Sequence, residues 1–470
     1  MTSIAIKGAS SVNEYEELIK VFLRPDQYMI CDDPAQADLV FTEDADKDIT
    51  RRQIFRCLSE KTGYVPDWGI LTGIRPVKLF GILACEESPD HIKERPGLLD
   101  REKISWAYER LTGHYLVSTP KAMLTRELYE YQNRMFGQPE DDSAGIYIGI
   151  PFCPTRCLYC SFASNPADED KIKRYLEALH KEIDFCGEQM KSSGFLPESL
   201  YVGGGTPTSL SADQLDELLS HAVDAFGGRE YFDNNVKEFC VEAGRPDTID
   251  DDKIAAILKN GAGRISINPQ TMNQETLKTI GRDHSPEDIA EALKTVRRCD
   301  ENDRLIVNAD IIAGLPGEDV SDIENTLEQI IELGADNITV HSLAVKRASR
   351  LKEADKDYHY SHGEIVSEMI KRAQDILRSA AYRPYYLYRQ KHMSGAQENT
   401  GYCLEGTASI YNVRIMDEHQ RIIALGAGGI SKAYDPKTRK LERVANVTNQ
   451  EIYVQRIDEM LQRKKDKLFV

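Results

Sequence analysis

Three cysteines stand within eight residues, Cys153, Cys157 and Cys160, in the stretch Ile146-Tyr-Ile-Gly-Ile-Pro-Phe-Cys-Pro-Thr-Arg-Cys-Leu-Tyr-Cys-Ser-Phe162. A short buried strand at residues 146–150 runs straight into a loop that can fold three thiolates toward one inorganic centre, with backbone N–H groups turned to the sulfurs. A closed structural zinc site takes four ligands, and the next candidates, His180 and Cys186, lie too far along to share the loop. Three cysteines and a vacant position instead suit a [4Fe–4S] cluster with one iron open to an exchangeable ligand. For a chain with this cysteine content, a C-x3-C-x2-C spacing arises by chance on the order of 1 time in 200.

That spacing, with Tyr159 before the last cysteine, resembles the cluster loop of the radical S-adenosylmethionine (SAM) enzymes. The lead-in Tyr147-Ile-Gly-Ile-Pro-Phe-Cys153 is similar to the Y-[IV]-H-I-P-F-C of the oxygen-independent coproporphyrinogen III oxidase (HemN-like) group, with Gly149 where His is usual. Within that group the HemZ-type branch, which carries an extra N-terminal region, is the nearest in pattern. The resemblance covers residues 145–345 in detail and 380–435 loosely. It implies Cys153, Cys157 and Cys160 as cluster ligands and catalytic centre, with Tyr147 and Tyr159 beside the cofactor.

The elements that must position this loop alternate strand and helix. Strands are expected at residues 147–150, 199–202, 238–242, 264–267, 305–312 and 337–343, and helices at 168–194, 211–226, 250–260, 285–299 and 320–333. Six strands each followed by a helix imply parallel pairing with right-handed crossovers. Six rather than eight gives an α/β partial (β/α)6 TIM-type barrel, whose chemistry gathers at the C-terminal strand ends.

Polar oddities fall at those ends. Tyr201-Val-Gly-Gly-Gly-Thr-Pro-Thr208 follows the second strand; Gly203, Gly204 and Gly205 permit close backbone approach to a ligand, although a plain turn reads the same way. The resemblance assigns this stretch, with Thr206, to the methionine amino group of SAM. Glu242 ends the third strand, as a surface residue or as an acceptor for ligand amine or hydroxyls. The family's E-x-x-P-like motif favours the second. Arg264-Ile-Ser-Ile-Asn-Pro-Gln270 resembles R-[IL]-S-x-G-x-Q, implying Gln270 at the ribose or carboxylate, with Asn268 and Pro269 as departures. Ile280-Gly-Arg282-Asp-His284 resembles L-x-R-x-H, implying Arg282 against the methionyl carboxylate. His284 reads equally as a helix-capping or surface residue. Asn308-Ala-Asp310-Ile-Ile-Ala-Gly-Leu-Pro-Gly-Glu318 matches N-x-D-[IL]-[IM]-x-G-L-P-G-[QE], implying that Asp310 faces SAM or substrate. His341 is a further cavity candidate.

The resemblance implies a mechanism. A reduced cluster cleaves bound SAM to a 5′-deoxyadenosyl radical, which removes hydrogen from a propionate side chain; CO2 leaves and a vinyl group forms. The protein supplies placement and exclusion of water. A flavodoxin- or ferredoxin-type donor and a tetrapyrrole substrate are the implied partners.

Outside residues 141–350, the first 140 residues read as an N-terminal α+β domain: strands at 3–7, 27–31 and 38–42, and helices at 13–23, 50–61, 99–112 and 121–136. Arg75 and Lys78, in an apolar stretch, read either as snorkelling surface cations or as a clamp for substrate carboxylates. Residues 137–145 form an acidic linker. Residues 351–470 read as a C-terminal α+β extension, which the resemblance implies covers the substrate. Its aromatic and basic segment Tyr385-Tyr-Leu-Tyr-Arg-Gln-Lys-His-Met393 would sandwich a tetrapyrrole with Arg389, Lys391 and His392, or form a half-buried strand. Glu398-Asn-Thr-Gly-Tyr402 resembles the H-N-x-x-Y-W of haem chaperones, with Glu398 and Cys403 replacing His and Trp. Residues 423–431 resemble a G-x-G-A-x-S turn, and the basic tail from Arg463 reads as a solvated helix end.

Composition excludes other classes. The chain of 470 residues has a formal net charge of −18, which argues against nucleic acid as main partner. No apolar run is long enough to span a membrane, and the opening Met-Thr-Ser-Ile-Ala-Ile-Lys-Gly, without a basic region followed by a long apolar core, argues against secretion. Ten cysteines without paired spacing outside the loop read as reduced thiols of a cytoplasmic protein. Three functions compete: oxidative decarboxylation of coproporphyrinogen III, haem binding by a chaperone-like relative, and radical methyl transfer or another tetrapyrrole modification. Phe162, where a fourth cysteine is usual in the oxidases, keeps the second and third open.

Overall fold

A computed structural model describes the chain except for residues 10, 86–100, 162–165, 167, 347–348, 356–357, 359–361, 392 and 470. Phe162 and His392 therefore lie outside the described residues, as do the first residues of the helix expected at 99–112.

The N-terminal sheet holds β1 (Thr2–Lys7), β2 (Tyr28–Ile30) and β3 (Leu39–Thr42), all parallel in the order β2-β1-β3. Between β1 and β2 the helix Asn13–Phe22 buries Tyr15, Leu18 and Ile19, the spacing of one helical face. The helix Lys47–Thr62 starts where the Asp46 carboxylate accepts the Asp48 N–H and stops at Gly63 (φ 73°). Three further helices, Pro76–Cys85, Arg101–Glu109 and Thr119–Met135, enclose a second core around Trp68, Phe80 and Leu124. Arg75 and Lys78 are neither snorkelling nor aimed at the barrel mouth. Both close on the buried Glu418 carboxylate, at 2.6 and 3.0 Å, and tie this domain to the C-terminal extension.

The main sheet has eleven strands. β4 (Ser143–Ile150), β5 (Leu196–Gly204), β6 (Glu238–Glu242), β7 (Arg264–Gln270), β8 (Ile306–Ala313) and β9 (Asn337–Ser342) are neighbours in chain order and all parallel. Helices Glu169–Ser193, Ala212–Ala225, Asp251–Lys259, Pro286–Cys299 and Val320–Glu332 connect them. These are the six strands and five helices that periodicity predicts. The remaining strands are β10 (Arg383–Tyr388), β11 (Asn399–Cys403), β12 (Arg421–Leu425), β13 (Ile430–Asp435) and β14 (Lys440–Ala445). The order is β10-β11-β9-β8-β7-β6-β5-β4-β12-β13-β14, so the sheet stays open. β12 adds a seventh parallel strand beside β4, where the sequence suggests only a turn. β11 and β10 cap the other edge in antiparallel fashion.

Ile146, Ile148 and Ile150 of β4 are wholly buried, as expected for a parallel strand covered on both faces. The expected solvated tail is not solvated throughout. Lys464 of the helix Ile457–Lys467 is fully buried, 3.4 Å from Glu182, and donates to the Ala424 carbonyl at 2.7 Å. This pair clamps the last helix onto β12.

Candidate active site

The cysteine loop leaves β4 at Ile150 and is held on two sides. The Gly205 N–H donates to the Ile150 carbonyl and the Thr206 N–H to the Phe152 carbonyl, each at 2.7 Å, while Leu158 N–H reaches Ile280 O at 2.9 Å. Phe152 is buried and packs edge-on to Tyr175. Cys157 is buried, Cys153 and Cys160 are half-buried, and none is in a disulfide.

All three thiols line one cavity of about 470 Å3 at the C-terminal ends of the parallel strands. A single tetrahedral zinc would draw thiolates to about 3.8 Å of one another. Among the described residues no three His, Cys, Asp or Glu side chains gather around one such point. A multi-iron cluster takes each thiolate at a separate iron and so does not need the three sulfurs to meet at one point. Beside them the backbone leaves a cradle: a Cβ on Gly205 would lie 2.5 Å from the Phe152 oxygen and 3.0 Å from Cys153 Sγ. Thr206 Oγ1 is 3.4 Å from the same sulfur. Two buried guanidinium groups supply positive charge. Arg245 reaches Thr155 at 2.8 Å and Cys157 Sγ at 3.9 Å, and Arg282 is held by the Asn268 and Gly244 carbonyls. That charge would complement a bound anionic cluster. The residues present fit an iron–sulfur cluster.

The strands supply the rest by period-2 alternation. On β8 Asn308, Asp310 and Ile312 face the cavity while Val307, Ala309 and Ile311 are buried behind. Glu242, the last residue of β6, accepts the Tyr201 hydroxyl at 2.6 Å; burial pushes its carboxyl up to about 7. Asp310 is the opposite case. Burial alone would raise it, but His341, at 3.6 Å, together with Asn308 and Thr339, holds it below its ordinary value. Two carboxyl groups in one cavity thus differ in protonation near neutrality. Gln270 ends β7 after a register shift between Ile267 and Gln270 and takes φ 70°.

Tyr147, Tyr159, Gly204, Gly205, Thr206, Glu242, Gln270, Arg282 and Asp310 all line the cavity with the three cysteines. Gly203 does not. A Cβ there would meet the Tyr201 ring at 2.9 Å and the Glu242 carboxyl carbon at 3.0 Å, so its absence makes room for that pair. His284 is buried 3.7 Å from Asp247, while Ser285 caps the following helix. His341 lines the cavity. Arg389 and Lys391 do not: the Arg389 guanidinium donates to Leu71 O at 2.8 Å and Ala396 O at 2.6 Å and stacks 4.9 Å over Trp68.

Tyr147 and the aromatic segment from Tyr385 were expected at the site; Tyr201 and Tyr411 were not, and they complete a tyrosine wall. Tyr201 stacks between Tyr147 (6.2 Å) and Tyr411 (4.5 Å), and Tyr386 and Tyr388 of β10 also line the cavity.

Comparison with known proteins bears on the family and the fold. Residues 147–330 match the model of the radical SAM superfamily. The oxygen-independent coproporphyrinogen-III oxidase-like protein HemZ of Bacillus subtilis (strain 168) is 39% identical over 407 residues, which cover 85% of this chain and 77% of that one. The heme chaperone HemW of Lactococcus lactis subsp. lactis (strain IL1403) is 28% identical over 296 residues, covering 60% and 68%. The solved coproporphyrinogen III oxidase HemN from Escherichia coli, a radical SAM enzyme, superposes with a TM-score of 0.53 over 73% of each chain at 19% identity, a likeness of fold. The chain therefore belongs to the radical SAM superfamily, whose cofactors are a [4Fe–4S] cluster and SAM, and within it to the HemN-like, oxygen-independent coproporphyrinogen III oxidase family.

Proposed function

We propose that the protein is a coproporphyrinogen dehydrogenase, carrying out the oxygen-independent oxidative decarboxylation of coproporphyrinogen III to protoporphyrinogen IX. In this reading Cys153, Cys157 and Cys160 hold the cluster. When bound, the cluster and SAM supply one-electron chemistry and a carbon radical able to remove hydrogen from a propionate. Gly204, Gly205 and Thr206 receive the methionine amine, and Arg282 its carboxylate. Gln270, Glu242 and Asp310 accept from the remaining polar groups of SAM. Tyr386, Tyr388 and Tyr411 keep water from the reacting carbon. A flavodoxin- or ferredoxin-type protein delivers the electron, and the reaction is placed in the cytoplasm. No described helix is long and apolar enough to cross a membrane.

We further propose that residues 141–350 carry the cofactor face, 351–470 the tyrosine wall over the substrate, and 1–140 a domain that closes the C-terminal side. The observation carrying the reading is convergence: three thiols, a glycine cradle, two carboxyl groups and a buried Arg282, from separate strand ends, share one cavity with tyrosines. Anaerobic incubation of reconstituted protein with SAM, dithionite and coproporphyrinogen III is expected to yield protoporphyrinogen IX. SAM cleavage with unchanged coproporphyrinogen would overturn it.

A second reading, haem carriage, has the likeness to the heme chaperone HemW in its favour. Against it stands Glu398, in the segment resembling H-N-x-x-Y-W, whose carboxylate is already committed to Trp68 and Lys121. Stoichiometric haem binding without turnover would favour it, and transfer of a labelled methyl group would favour a methyltransferase.

A further inference from the structure

A second cavity, also of about 470 Å3, lies where the N-terminal domain meets the C-terminal extension. Gln390 lines both cavities and so stands between them. The N-terminal helix Asn13–Phe22 supplies Glu17, Lys20 and Phe22 to this second space, and Tyr64 packs edge-on to Phe22 at 6.3 Å.

The two cavities differ in available charge. Three cations line the first. Arg245 is taken by the Asp247 carboxylate at 2.9 and 3.0 Å, and Arg282, held by backbone carbonyls, is assigned above to the carboxylate of SAM, which leaves Lys346 among the described residues. Asp310 adds negative charge there. A substrate with several carboxylates would find one uncommitted cation in a space that must also take SAM. The second cavity is lined by Lys20, Arg24, Arg389 and Lys391 against Glu17 and Glu364. Its ion pairs are long: Lys20 to Glu17 at 3.4 Å, Lys391 to Glu17 at 3.7 Å and Arg24 to Asp26 at 3.9 Å. Half-exposed pairs at such distances are weak and readily exchanged for an arriving carboxylate. Arg389 is 7% exposed, and its Nε has no hydrogen-bond partner. The lining itself holds four cations and two carboxylates; Glu16, 3.4 Å from Lys20, and Asp26 stand outside it.

We propose that this second cavity is the distal subsite of the active site: it takes the carboxylate-bearing end of a planar organic polyacid, over Lys20 and Lys391, while the reacting end passes Gln390 into the first cavity. The inference rests on the tetrapyrrole reading above and deepens it, since it gives the N-terminal domain a part in substrate selection. Gly73 allows the arrangement, because a Cβ there would lie 2.8 Å from Lys391 Cγ.

The test uses coproporphyrin III, the stable oxidised tetracarboxylate, titrated into the full-length protein and followed by its fluorescence. The K20E/K391E variant is expected to bind roughly tenfold more weakly or worse, K20R/K391R as the unsubstituted protein does, and added salt is expected to weaken binding to those last two and not to K20E/K391E. Lys391→Ala, at a side chain 57% exposed and so without consequence for folding, is expected to shift affinity in the same direction by less. Equal affinity of the unsubstituted, K391A and K20E/K391E proteins would overturn this inference and leave the tetrapyrrole reading standing. No binding by the unsubstituted protein would overturn both.

Discussion

Glu398 accepts the indole N–H of Trp68 at 2.8 Å across 330 positions of sequence, and Lys121 closes on its other carboxylate oxygen. Glu398 is 1% exposed and Lys121 9%. The pair joins the helix Thr119–Met135 to the start of β11 and so seats the N-terminal domain on the main sheet. The glutamate that departs from the haem-chaperone pattern has a structural task.

Breaking that pair leaves a buried ammonium without its carboxylate. Glu398→Ala is expected to lower stability by about 3–5 kcal/mol, read as an earlier urea midpoint of Trp68 fluorescence. Replacing both members, as in K121M/E398L, removes both desolvation penalties and is expected to recover most of the loss. A single variant as stable as the unsubstituted protein would remove the anchor from the account.

The proposed role of Glu242 has a pH signature. Burial raises its carboxyl to about 7, so it is neutral below that pH and charged above it. A cationic ligand beside it favours the charged form. SAM binding at pH 6 must then expel a proton, which it need not do at pH 8. Affinity measured by calorimetry is expected to rise over that interval, with proton release at the acid end. Glu242→Gln is expected to flatten the profile, and a variant that kept the full slope would place the titration elsewhere.

Each of the three cysteines is expected to be indispensable to the cluster. Cys153→Ala, Cys157→Ala and Cys160→Ala should each lose iron after anaerobic reconstitution and cleave SAM at background rate, because a cluster held by two thiolates has no fixed open iron. Near-normal cleavage by any one of them would falsify its assignment.

Much of this was legible from residues alone, and what was not has a common physical cause. β4 to β9 were readable because a buried parallel strand writes a short apolar run, and the polar groups that interrupt it stand at the cavity. β12 was hidden because residues 421–425 are as brief as a turn and pair with a strand some 275 positions earlier, which no local pattern reports. Buried charges were hidden for the same reason. Lys464 looks like any lysine of a solvated tail until Glu182 and the Ala424 carbonyl are brought to it. Arg75 and Lys78 look like a substrate clamp until Glu418 arrives from the other end of the chain. Gly203 was assigned with its two neighbours because sequence cannot tell a glycine that faces a ligand from one that makes room for a side-chain pair.

That last distinction can be tested directly. At Gly205 a Cβ would strike the Phe152 carbonyl oxygen at 2.5 Å, and backbone cannot rotate aside as a side chain can. Gly205→Ala must therefore shift the cysteine loop, and its expected phenotype is a folded protein with reduced iron content after reconstitution. At Gly203 a Cβ would instead meet the Tyr201 ring and the Glu242 carboxyl. Gly203→Ala is expected to retain its iron, bind SAM more weakly and lose the pH dependence that Glu242 confers. Overpacking of either kind costs about 1–3 kcal/mol, so melting curves alone cannot separate the two variants; iron content and SAM affinity can. The same loss of iron in both would place Gly203 in the cluster cradle after all.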